Sequence, residues 1–596
     1  MVTLKEKFRT QIIYWLLFAG MLLALLRLFD LQCLRFEVYQ KRAMQQQQSV
    51  QRIKARRGRI LDRNGQILAI TSSRPAVWSD PGLVKNLNKT AVKVARTLKM
   101  PLSEVKNKLH NPKNPSNRFV WIKKEISDAQ AMALRTMIKK KEIPGVYMKY
   151  LHHRIYPRDD RLGNVIGFCN SEGDGAEGLE YAANDILKGI DGYYVMRRDN
   201  RRKRFFVPEW MRRQLEPVDG SDIYLTIDEY IQHIAEQELE KNVIKYTPKH
   251  AVAIVMDLRP GHRGEILAMA LWPKFNPSDR KTYKPGLMQN FATTTVFEPG
   301  STMKIVTGAA ALNEGVVNLN TRIFCENGKW QVMPGHILHD DHSLGEITFK
   351  DVIKHSSNIG IAKTARKMDK YTLYKYLLKF GFGKKTGIKL VPAESKGLLR
   401  PPSKWSKLSM FSIPMGQEIG VTALQLLSAV QTIACDGTRY KPTIVKRIET
   451  ADGELTPEAR AFNYFEPDIV CQDVISEDAA KKITRAMISV TEEDGTGRRA
   501  AIPGYTVAGK TGTAQKYDPE IKTYSRRKFV ASFVGFVPAN DPAIAVLVTF
   551  DEPKKNYYGG TVAAPVFQKI CKKTLTYLKI PEDSRNNNEE NFVEQE

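Results

Sequence analysis

Cysteine is scarce in this sequence, with six residues among 596 that lie far apart and form no CxxC pair. This excludes a zinc ribbon and a disulfide scaffold, both of which need closely spaced cysteines. Apolar residues make up 42% and charged residues 26% of the chain, which excludes wholesale disorder, a collagen-like repeat and a polytopic membrane protein. Composition alone leaves an enzyme and a binding protein equally open.

Acidic residues are too few to balance the basic ones. Lys and Arg total 92 against 64 Asp and Glu, a formal net charge of +28. An excess of this size favours association with polyanions, whether nucleic acid, anionic lipid or acidic wall polymers. A solvated surface is the default explanation, and the basic run from Arg52 through Arg57 to Arg59 is interpreted as a solvated juxtamembrane stretch.

Only one long apolar run stands out, Thr10–Leu26, which has no charge for 17 residues and continues past Arg27. About 20 helical residues at ~1.5 Å each span roughly 30 Å, the thickness of a bilayer core. No small-residue cleavage site follows, so we predict a retained single-pass anchor, with a buried core helix as the alternative. Basic residues flank both ends of the run, so the positive-inside rule gives no orientation.

The length predicts roughly two or three domains. Residues 1–33 are predicted to form a short tail and the anchor, and residues 34–217 a pedestal without catalytic residues. Residues 218–578 form the second domain, and residues 579–596 are predicted to be a disordered acidic tail.

Apolar runs separated by turn residues predict the strands. Asn64-Gly65 between two such runs is a β-hairpin signal in the pedestal. In the second domain, Ala251–Leu258 and Gly264–Leu271 predict a hairpin with one buried face. Phe529–Ala539 and Ala543–Asp551 predict another hairpin. Helical patterns between the two pairs indicate an α+β fold with one mixed sheet covered by helices.

The first candidate for chemistry is Phe297–Leu312. A Pro-Gly pair is followed by an Ala- and Leu-rich helical pattern, which places Ser301 in the first turn and Lys304 on the same face. A buried lysine with a lowered pKa can take the proton of a serine hydroxyl. The helix amino terminus can stabilise an oxyanion. The alternative is an N-cap serine beside a surface lysine.

The second candidate is His355–Gly360, at the start of another helical pattern. Ser356 and Asn358 alternate, so their side chains point the same way if the turn is extended. The hydroxyl can pass a proton to a leaving amine, and the amide can bind a peptide carbonyl. An ordinary helix cap is the alternative.

The third candidate is Gly504–Gln515, whose letters satisfy a phosphate-loop pattern. Such a loop must run into a helix, whereas the residues here favour a strand, so we expect no nucleotide site. In an edge strand, Lys510, Thr511 and Thr513 can bind a carboxylate. Gly512 would leave room for substrate against the backbone.

S-x-x-K, S-x-N and K-T-G in this order are a signature of penicillin-binding proteins and serine β-lactamases. With these motifs, the chain resembles a class B penicillin-binding protein, a monofunctional peptidoglycan D,D-transpeptidase, over nearly its whole length. Arg57–Gly65 and Gly175–Glu180 resemble the family's pedestal motifs, and Gly416–Leu426 and Val534–Ala539 resemble its transpeptidase signatures. FEPGSTMK, SSN and KTGTA are closest to the septal, cell-division type. Ala423 departs from the family, where proline is common.

The resemblance implies a mainly antiparallel sheet covered by helices, following a dimerisation-type pedestal, and a role for each residue. Ser301 attacks the D-Ala-D-Ala carbonyl of a stem peptide, and Lys304 accepts its proton. Backbone N–H groups of Ser301 and Thr513 form the oxyanion hole. Ser356 passes the proton to the departing D-alanine, and Asn358 holds the peptide. The residues that bind the terminal carboxylate end of the substrate are Lys510, Thr511, Gly512 and Thr513.

The resemblance also implies partners and a location. The ligands are peptidoglycan stem peptides, as donor and amine acceptor, and β-lactams, with no cofactor and no nucleic acid. The amino end is expected in the cytoplasm and the catalytic domain outside the cell membrane. The expected membrane partners are a lipid-II polymerase of the shape–elongation–division–sporulation (SEDS) family and other division proteins.

Three further possibilities stay open from the sequence. His336, His339 and His342 beside Asp340 and Asp341 allow a zinc site, although we expect a hydrogen-bonded loop and no metal. A D,D-carboxypeptidase or a β-lactamase-like hydrolase would use the same residues with water as acceptor. A non-catalytic penicillin-binding scaffold or sensor would keep the fold without rapid acyl transfer.

Overall fold

The computed structural model describes residues 4–110, 117–198, 204–205, 214–390, 394–450, 453, 467–518, 520–521 and 523–583. Most of the predicted acidic tail therefore lies outside the described residues. The chain divides into two compact units, one of residues 1–56 with 189–220 and one of residues 57–188 with 221–596. The domain bounds given above stay predictions.

The regular elements are labelled here where a strand has at least four residues or a helix at least eight. The strands are β1 (Gln48–Ile53), β2 (Ile67–Ser79), β3 (Val120–Lys123), β4 (Val146–Ile155), β5 (Gly192–Arg198), β6 (Asp222–Leu225), β7 (His250–Asp257), β8 (Ile266–Trp272), β9 (Lys329–Met333), β10 (His336–His339), β11 (Val445–Glu449), β12 (Ala508–Asp518), β13 (Thr523–Val537) and β14 (Ile544–Asp551). The helices are α1 (Leu4–Phe29), α2 (Phe36–Gln47), α3 (Leu87–Leu98), α4 (Leu102–His110), α5 (Asp128–Lys139), α6 (Glu229–Tyr246), α7 (Met303–Asn313), α8 (Asn358–Ala365), α9 (Lys370–Lys379), α10 (Ala423–Ala434), α11 (Glu477–Ser489) and α12 (Ala564–Leu578).

The first unit contains the apolar amino-terminal helix. Helix α1 covers the whole charge-free run, and the segment Phe8–Leu34 is long and apolar enough to cross a membrane by length and composition. Its large apolar side chains are exposed, which is costly in water and favourable in lipid. In the same unit, β1 pairs antiparallel with β5, from Gln48 opposite Arg197 to Ile53 opposite Gly192.

The second unit opens with the predicted hairpin, which is confirmed. Ile60–Leu61 pairs antiparallel with the start of β2, and Gly65 in the turn has a φ of 85°, in the left-handed region that favours glycine. Asp62 Oδ1 accepts hydrogen bonds from the N–H groups of Asn64 and Gln66. The sheet of β2, β3 and β4 then packs against α3, α4 and α5 around a small apolar core.

Arg57 is not part of a solvated stretch, so that interpretation is wrong for this residue. Its side chain is buried, and its Nε donates to Glu180 Oε2 over 2.6 Å. Arg154 Nε donates to the other carboxylate oxygen, Oε1, over 2.6 Å. Burial alone would raise the pKa of Glu180, but the attraction of Arg154 and Arg57 outweighs it and holds this pKa below its usual value. The two pedestal motifs therefore meet in the buried ion pair of Arg57 with Glu180, and Arg154 forms a second ion pair with the same carboxylate.

A five-stranded sheet, in the order β8-β7-β14-β13-β12, forms the centre of the second unit. Both predicted hairpins are confirmed, since β7 pairs with β8 and β13 pairs with β14. Every pairing in this sheet is antiparallel. The mixed sheet predicted from strand positions is therefore wrong, and the mainly antiparallel sheet implied by the resemblance is confirmed.

This sheet is buried on both faces, whereas the sequence analysis predicted one buried face. Val252 and Ile254 of β7 belong to the core that includes helices α7 and α10. Ala253 and Val255 of the same strand belong to the opposite core, with α6 and α12. The continuous apolar runs, without alternation, are what strands covered on both faces show.

Candidate active site

The segment with the candidate nucleophile begins with a tight turn. Gly300–Thr302 is a 3₁₀ turn that leads into α7, so Ser301 and Lys304 lie at the amino end of one helical segment. Gly300 has a φ of 56°, and a Cβ there would lie 2.9 Å from Ala514 Cβ. Glycine therefore allows this turn to approach strand β12, which carries the third motif.

Lys304 joins the first motif to the second. Its side chain is fully buried, and Nζ donates to the backbone oxygen of Ser356, to Ser356 Oγ over 3.1 Å and to Asn358 Oδ1 over 2.7 Å. These three acceptors match the three hydrogens of an ammonium group. Ser301 Oγ has no hydrogen-bond partner among the described residues, and a contact between nucleophile and base often tightens only in the substrate complex.

Ser356 lies between two amines. Its Oγ is 3.1 Å from Lys304 Nζ and 2.9 Å from Lys510 Nζ. The residue has a φ of 60°, so the turn is not extended at Ser356, yet Ser356 and Asn358 do face the same amine. A positive φ in a residue other than glycine costs about 1–3 kcal/mol and persists only where surrounding contacts stabilise it. Here the hydrogen bonds from both amines to Ser356 provide those contacts.

Asp340 fixes the S-x-N segment, a role that the sequence analysis missed. Its carboxylate accepts hydrogen bonds from Ser357 Oγ over 2.6 Å, from the Ile359 N–H over 3.0 Å and from the Asn358 N–H. A carboxylate is favourable at a helix amino terminus, where the first N–H groups lack partners. The carboxylate therefore holds the start of α8 in place, next to Ser356.

The Asn358 amide is oriented from two sides. Its Oδ1 accepts from Lys304, and its Nδ2 donates to the backbone oxygen of His339 over 2.7 Å. His339 ends strand β10, so the β9–β10 hairpin sets which amide atom faces the lysine. The second hydrogen on Nδ2 stays available for a ligand carbonyl.

Strand β12 carries the third motif at the edge of the sheet. The strand predicted here in place of a phosphate loop is confirmed, and within the described residues β12 pairs only with β13. Lys510 is fully buried and donates to Ser356 Oγ over 2.9 Å, which links the third motif to the second. Thr511 Oγ1 donates to Thr496 Oγ1 over 3.0 Å.

Packing explains the glycine of the third motif. A Cβ at Gly512 would lie 2.3 Å from Ser532 Oγ and 2.9 Å from Thr302 Cγ2. Glycine is therefore needed so that β12 can lie against β13 and the nucleophile-bearing turn, which differs from the predicted room for substrate. Thr513 Oγ1 accepts from the Gly559 N–H over 3.1 Å, so the threonine proton is left for another acceptor.

The electrostatics favour a neutral amine in this cluster. Burial lowers the pKa of Lys304 to about 8, against the opposing effect of Asp340 and Asp341. Burial and the neighbouring Lys304 amine lower the pKa of Lys510 well below its usual value. Two buried amines that flank one hydroxyl repel each other when both are charged, so the pair releases a proton readily and can then accept one.

We expect the rate of acylation by penicillin to rise with pH and to level off above about pH 8. Only the neutral amine of Lys304 can accept the serine proton, and its fraction grows as the pH passes its pKa. Below that pKa, the rate should change by about one log unit per pH unit. Quenched-flow measurement of the second-order rate constant tests this, and a pH-independent rate would contradict it.

The predicted histidine loop is instead strand β10 and the residues after it, with exposed imidazoles at His336, His339 and His342. Among the described residues, the ligand-type side chains that come close together in a group of three are Asp257, His262 and Glu265. Arginines already compensate this group, with Arg259 Nη2 2.6 Å from Asp257 and Arg63 Nη2 3.2 Å from Glu265. Ion pairs therefore account for it without a metal.

A cavity of about 400 Å³ lies beside the nucleophile-bearing turn, and its lining is mostly apolar. Phe297 and Glu298 contribute from the segment before the turn, and Ala514 and Tyr517 from β12. Neither Ser301 nor any of the lysines of the three motifs lines it. The cavity thus adjoins the three-motif cluster and does not contain it.

Comparison with known sequences places two domains on the chain. A sequence model of the penicillin-binding protein transpeptidase domain matches residues 251–572. A model of the penicillin-binding protein dimerisation domain matches residues 52–225. All three motifs lie within the first of these matches.

Similar proteins cover most of the chain. "Stage V sporulation protein D" of Bacillus subtilis is 36% identical over 530 residues, which are 88% of this chain and 78% of the relative. "Peptidoglycan D,D-transpeptidase FtsI" of Escherichia coli is 30% identical over 558 residues, 91% of this chain and 87% of the relative. Among solved structures, penicillin binding protein 3 of Mycobacterium tuberculosis, complexed with aztreonam, matches with a TM-score of 0.67 and 27% identity, over 89% of this chain and 98% of that chain.

Proposed function

The chain belongs to the class B penicillin-binding proteins, in which a dimerisation domain precedes a transpeptidase domain, and from this premise we propose that it is a peptidoglycan D,D-transpeptidase of septal wall synthesis. It crosslinks stem peptides through a serine acyl-enzyme and releases D-alanine. The observation that carries this proposal is the meeting of three distant motifs at Ser356, whose hydroxyl contacts the amines of Lys304 and Lys510.

Acylation starts at Ser301. The neutral amine of Lys304 takes the hydroxyl proton while Oγ bonds to the carbonyl carbon of the penultimate D-alanine. The carbonyl oxygen becomes an oxyanion, which the backbone N–H groups of Ser301 and Thr513 stabilise. The position of Ser301 at the amino end of a helical segment supports this role, because the first N–H groups of such a segment lack internal acceptors.

Collapse of the tetrahedral intermediate breaks the peptide bond. The proton held by Lys304 passes through the Ser356 hydroxyl to the leaving nitrogen, so D-alanine departs as a neutral amine. Asn358 holds the substrate peptide through its second Nδ2 hydrogen. The groups that bind the carboxylate are the amine of Lys510 and the hydroxyls of Thr511 and Thr513, with the backbone at Gly512.

The amine of a neighbouring stem peptide then attacks the ester. Its nitrogen bonds to the carbonyl carbon, its proton returns through Lys304 to Ser301 Oγ, and the crosslink is released. The edge position of β12 supports this exchange, since within the described residues its backbone pairs with β13 alone and an extended peptide can pair along the other side. β-Lactams react with Ser301 in the same acylation step. The reaction then stops at the acyl-enzyme, which makes the protein their target.

The protein is membrane-anchored through the apolar segment Phe8–Leu34. We further propose that the amino end lies in the cytoplasm and that the second unit acts outside the membrane, where stem peptides are found. In the same proposal, a SEDS-family lipid-II polymerase and other division proteins are the membrane partners, and they contact the anchor and the pedestal. Site-specific crosslinking from the anchor tests these partners.

The reaction is tested by supplying the full-length protein in detergent with polymerised glycan strands that carry pentapeptide stems. We expect crosslinked dimers and free D-alanine to appear together, because a stem amine resolves the acyl-enzyme. D-Alanine release without dimers would favour a carboxypeptidase, and rapid turnover of penicillin would favour a β-lactamase-like hydrolase. Loss of both products would favour a scaffold or sensor.

A further inference from the structure

A small cavity outside the active site lies between the turn after α9, helix α10 and the short strand Arg439–Tyr440. Its volume is about 40 Å³. Its charged members are Lys385 and Arg439, and no residue of the three motifs lines it. It is therefore separate from the acylation chemistry.

Arg439 brings an unpaired positive charge to this cavity. Its Nε is shielded from solvent and has no hydrogen-bond partner among the described residues, where no carboxylate approaches the guanidinium within 4.0 Å. A Cβ at residue 381 would lie 2.1 Å from Nη1, so Gly381 gives the guanidinium its space. Arg439 is half-buried, and shielding part of a guanidinium from water without a counter-charge is costly, so a bound anion would reduce that cost.

Other cations surround the same strand. Lys385 lines the cavity, and Lys441 follows two residues after Arg439, with its Cε 3.3 Å from the Cβ position of Gly387. Burial, with Lys441 as a smaller cause, lowers the pKa of Lys389 against the opposing effect of Asp468.

The nearby acids are already engaged. Asp468 Oδ2 lies 3.4 Å from Lys441 Nζ and is exposed. Glu394 is buried and accepts the N–H and the hydroxyl of Thr386, each over 2.6 Å. Among the described residues neither carboxylate forms an ion pair with Arg439, although Glu394 places one negative charge next to Thr386 in the cavity wall.

We propose that this cavity binds a phosphate-type oxyanion between Arg439 and Lys385. A guanidinium offers a fork of N–H donors that suits oxyanions, and the Arg439 Nε has no partner in the part of the chain that the structure describes. An ammonium approaching from a second direction suits tetrahedral oxygens better than a planar carboxylate. At about 40 Å³ the cavity admits a single small group, since one water needs roughly 10–15 Å³.

Isothermal titration calorimetry of the full-length protein with inorganic phosphate, at ionic strength held constant with sodium chloride, tests this site. We expect one saturable site in the wild type and at least ten-fold weaker binding in Arg439→Gln. The matched control is Arg96→Gln, which removes the same charge from an exposed position on α3 and should bind as the wild type does. If Arg439→Gln does not fold, Lys385→Gln and Arg439→Lys replace it, and both should also bind phosphate more weakly than the wild type.

A second titrant, the phosphodiester glycerophosphoglycerol, distinguishes free phosphate from a phosphate group that is part of a lipid or a polymer. Equal binding of both titrants assigns a lipid headgroup or a wall polymer, and binding of inorganic phosphate alone assigns free phosphate. No saturable heat with either titrant overturns the site. Unchanged phosphate binding in folded Arg439→Gln and Lys385→Gln overturns it as well. None of these outcomes depends on the transpeptidase activity.

Discussion

Replacing Ser301 by alanine is expected to abolish covalent labelling by penicillin and to stop D-alanine release. The substitution removes the only atom that forms the acyl bond in the proposed reaction, while the amines of Lys304 and Lys510 keep their contacts with Ser356. Because the proposed acyl bond forms on Ser301 Oγ alone, the loss should reach the detection limit rather than a partial rate. Labelled penicillin followed by denaturing gel electrophoresis measures it.

The matched control for this experiment is Ser278→Ala, which removes a hydroxyl from an exposed position outside the three motifs. Labelling of this variant should equal that of the wild type. Thermal unfolding of Ser301→Ala should show a folded protein, because Ser301 Oγ has no hydrogen-bond partner among the described residues to lose. Persistent labelling of folded Ser301→Ala would mean that another residue is the nucleophile.

Replacing Lys304 by methionine is expected to slow acylation by about 10²–10⁴-fold, the usual contribution of a general base. Methionine fills similar space without an amine, so Ser301 keeps its hydroxyl but loses its proton acceptor. Lys304→Arg should be equally slow, because a guanidinium keeps its charge and cannot accept a proton. Quenched-flow measurement of the acylation rate constant with penicillin tests both variants.

Lys367→Met is the control for this pair, since Lys367 is exposed just after α8. It should acylate at the wild-type rate. If Lys304→Arg restored most of the rate, a positive charge rather than a base would be the requirement, and the proposed role of Lys304 would be wrong.

Local patterns predicted much of the fold and part of the site. The hairpin at Gly65 and the two hairpins of the central sheet follow from turn residues between apolar runs, and they are present. The position of Ser301 ahead of Lys304 follows from the Pro-Gly break and the helical pattern. These features depend on residues that are neighbours in the chain, so one sequence is enough to predict them.

Features that depend on distant partners were not predictable in this way. Asp340 caps α8 through Ser357 and Ile359, and nothing near Asp340 in sequence indicates that contact. The left-handed turn at Ser356 is held by Lys304 and Lys510, which are remote in sequence. Burial on both faces of the sheet likewise depends on helices from both ends of the unit.

The central claim is that the hydroxyl of Ser301 forms the acyl-enzyme. Mass spectrometry of proteolytic peptides from the wild-type protein, after brief exposure to penicillin, tests it most directly. The penicilloyl group should be found in the peptide that contains Ser301, and fragmentation should place it on that serine. An adduct on any other residue, or no adduct on a folded protein, would contradict the account.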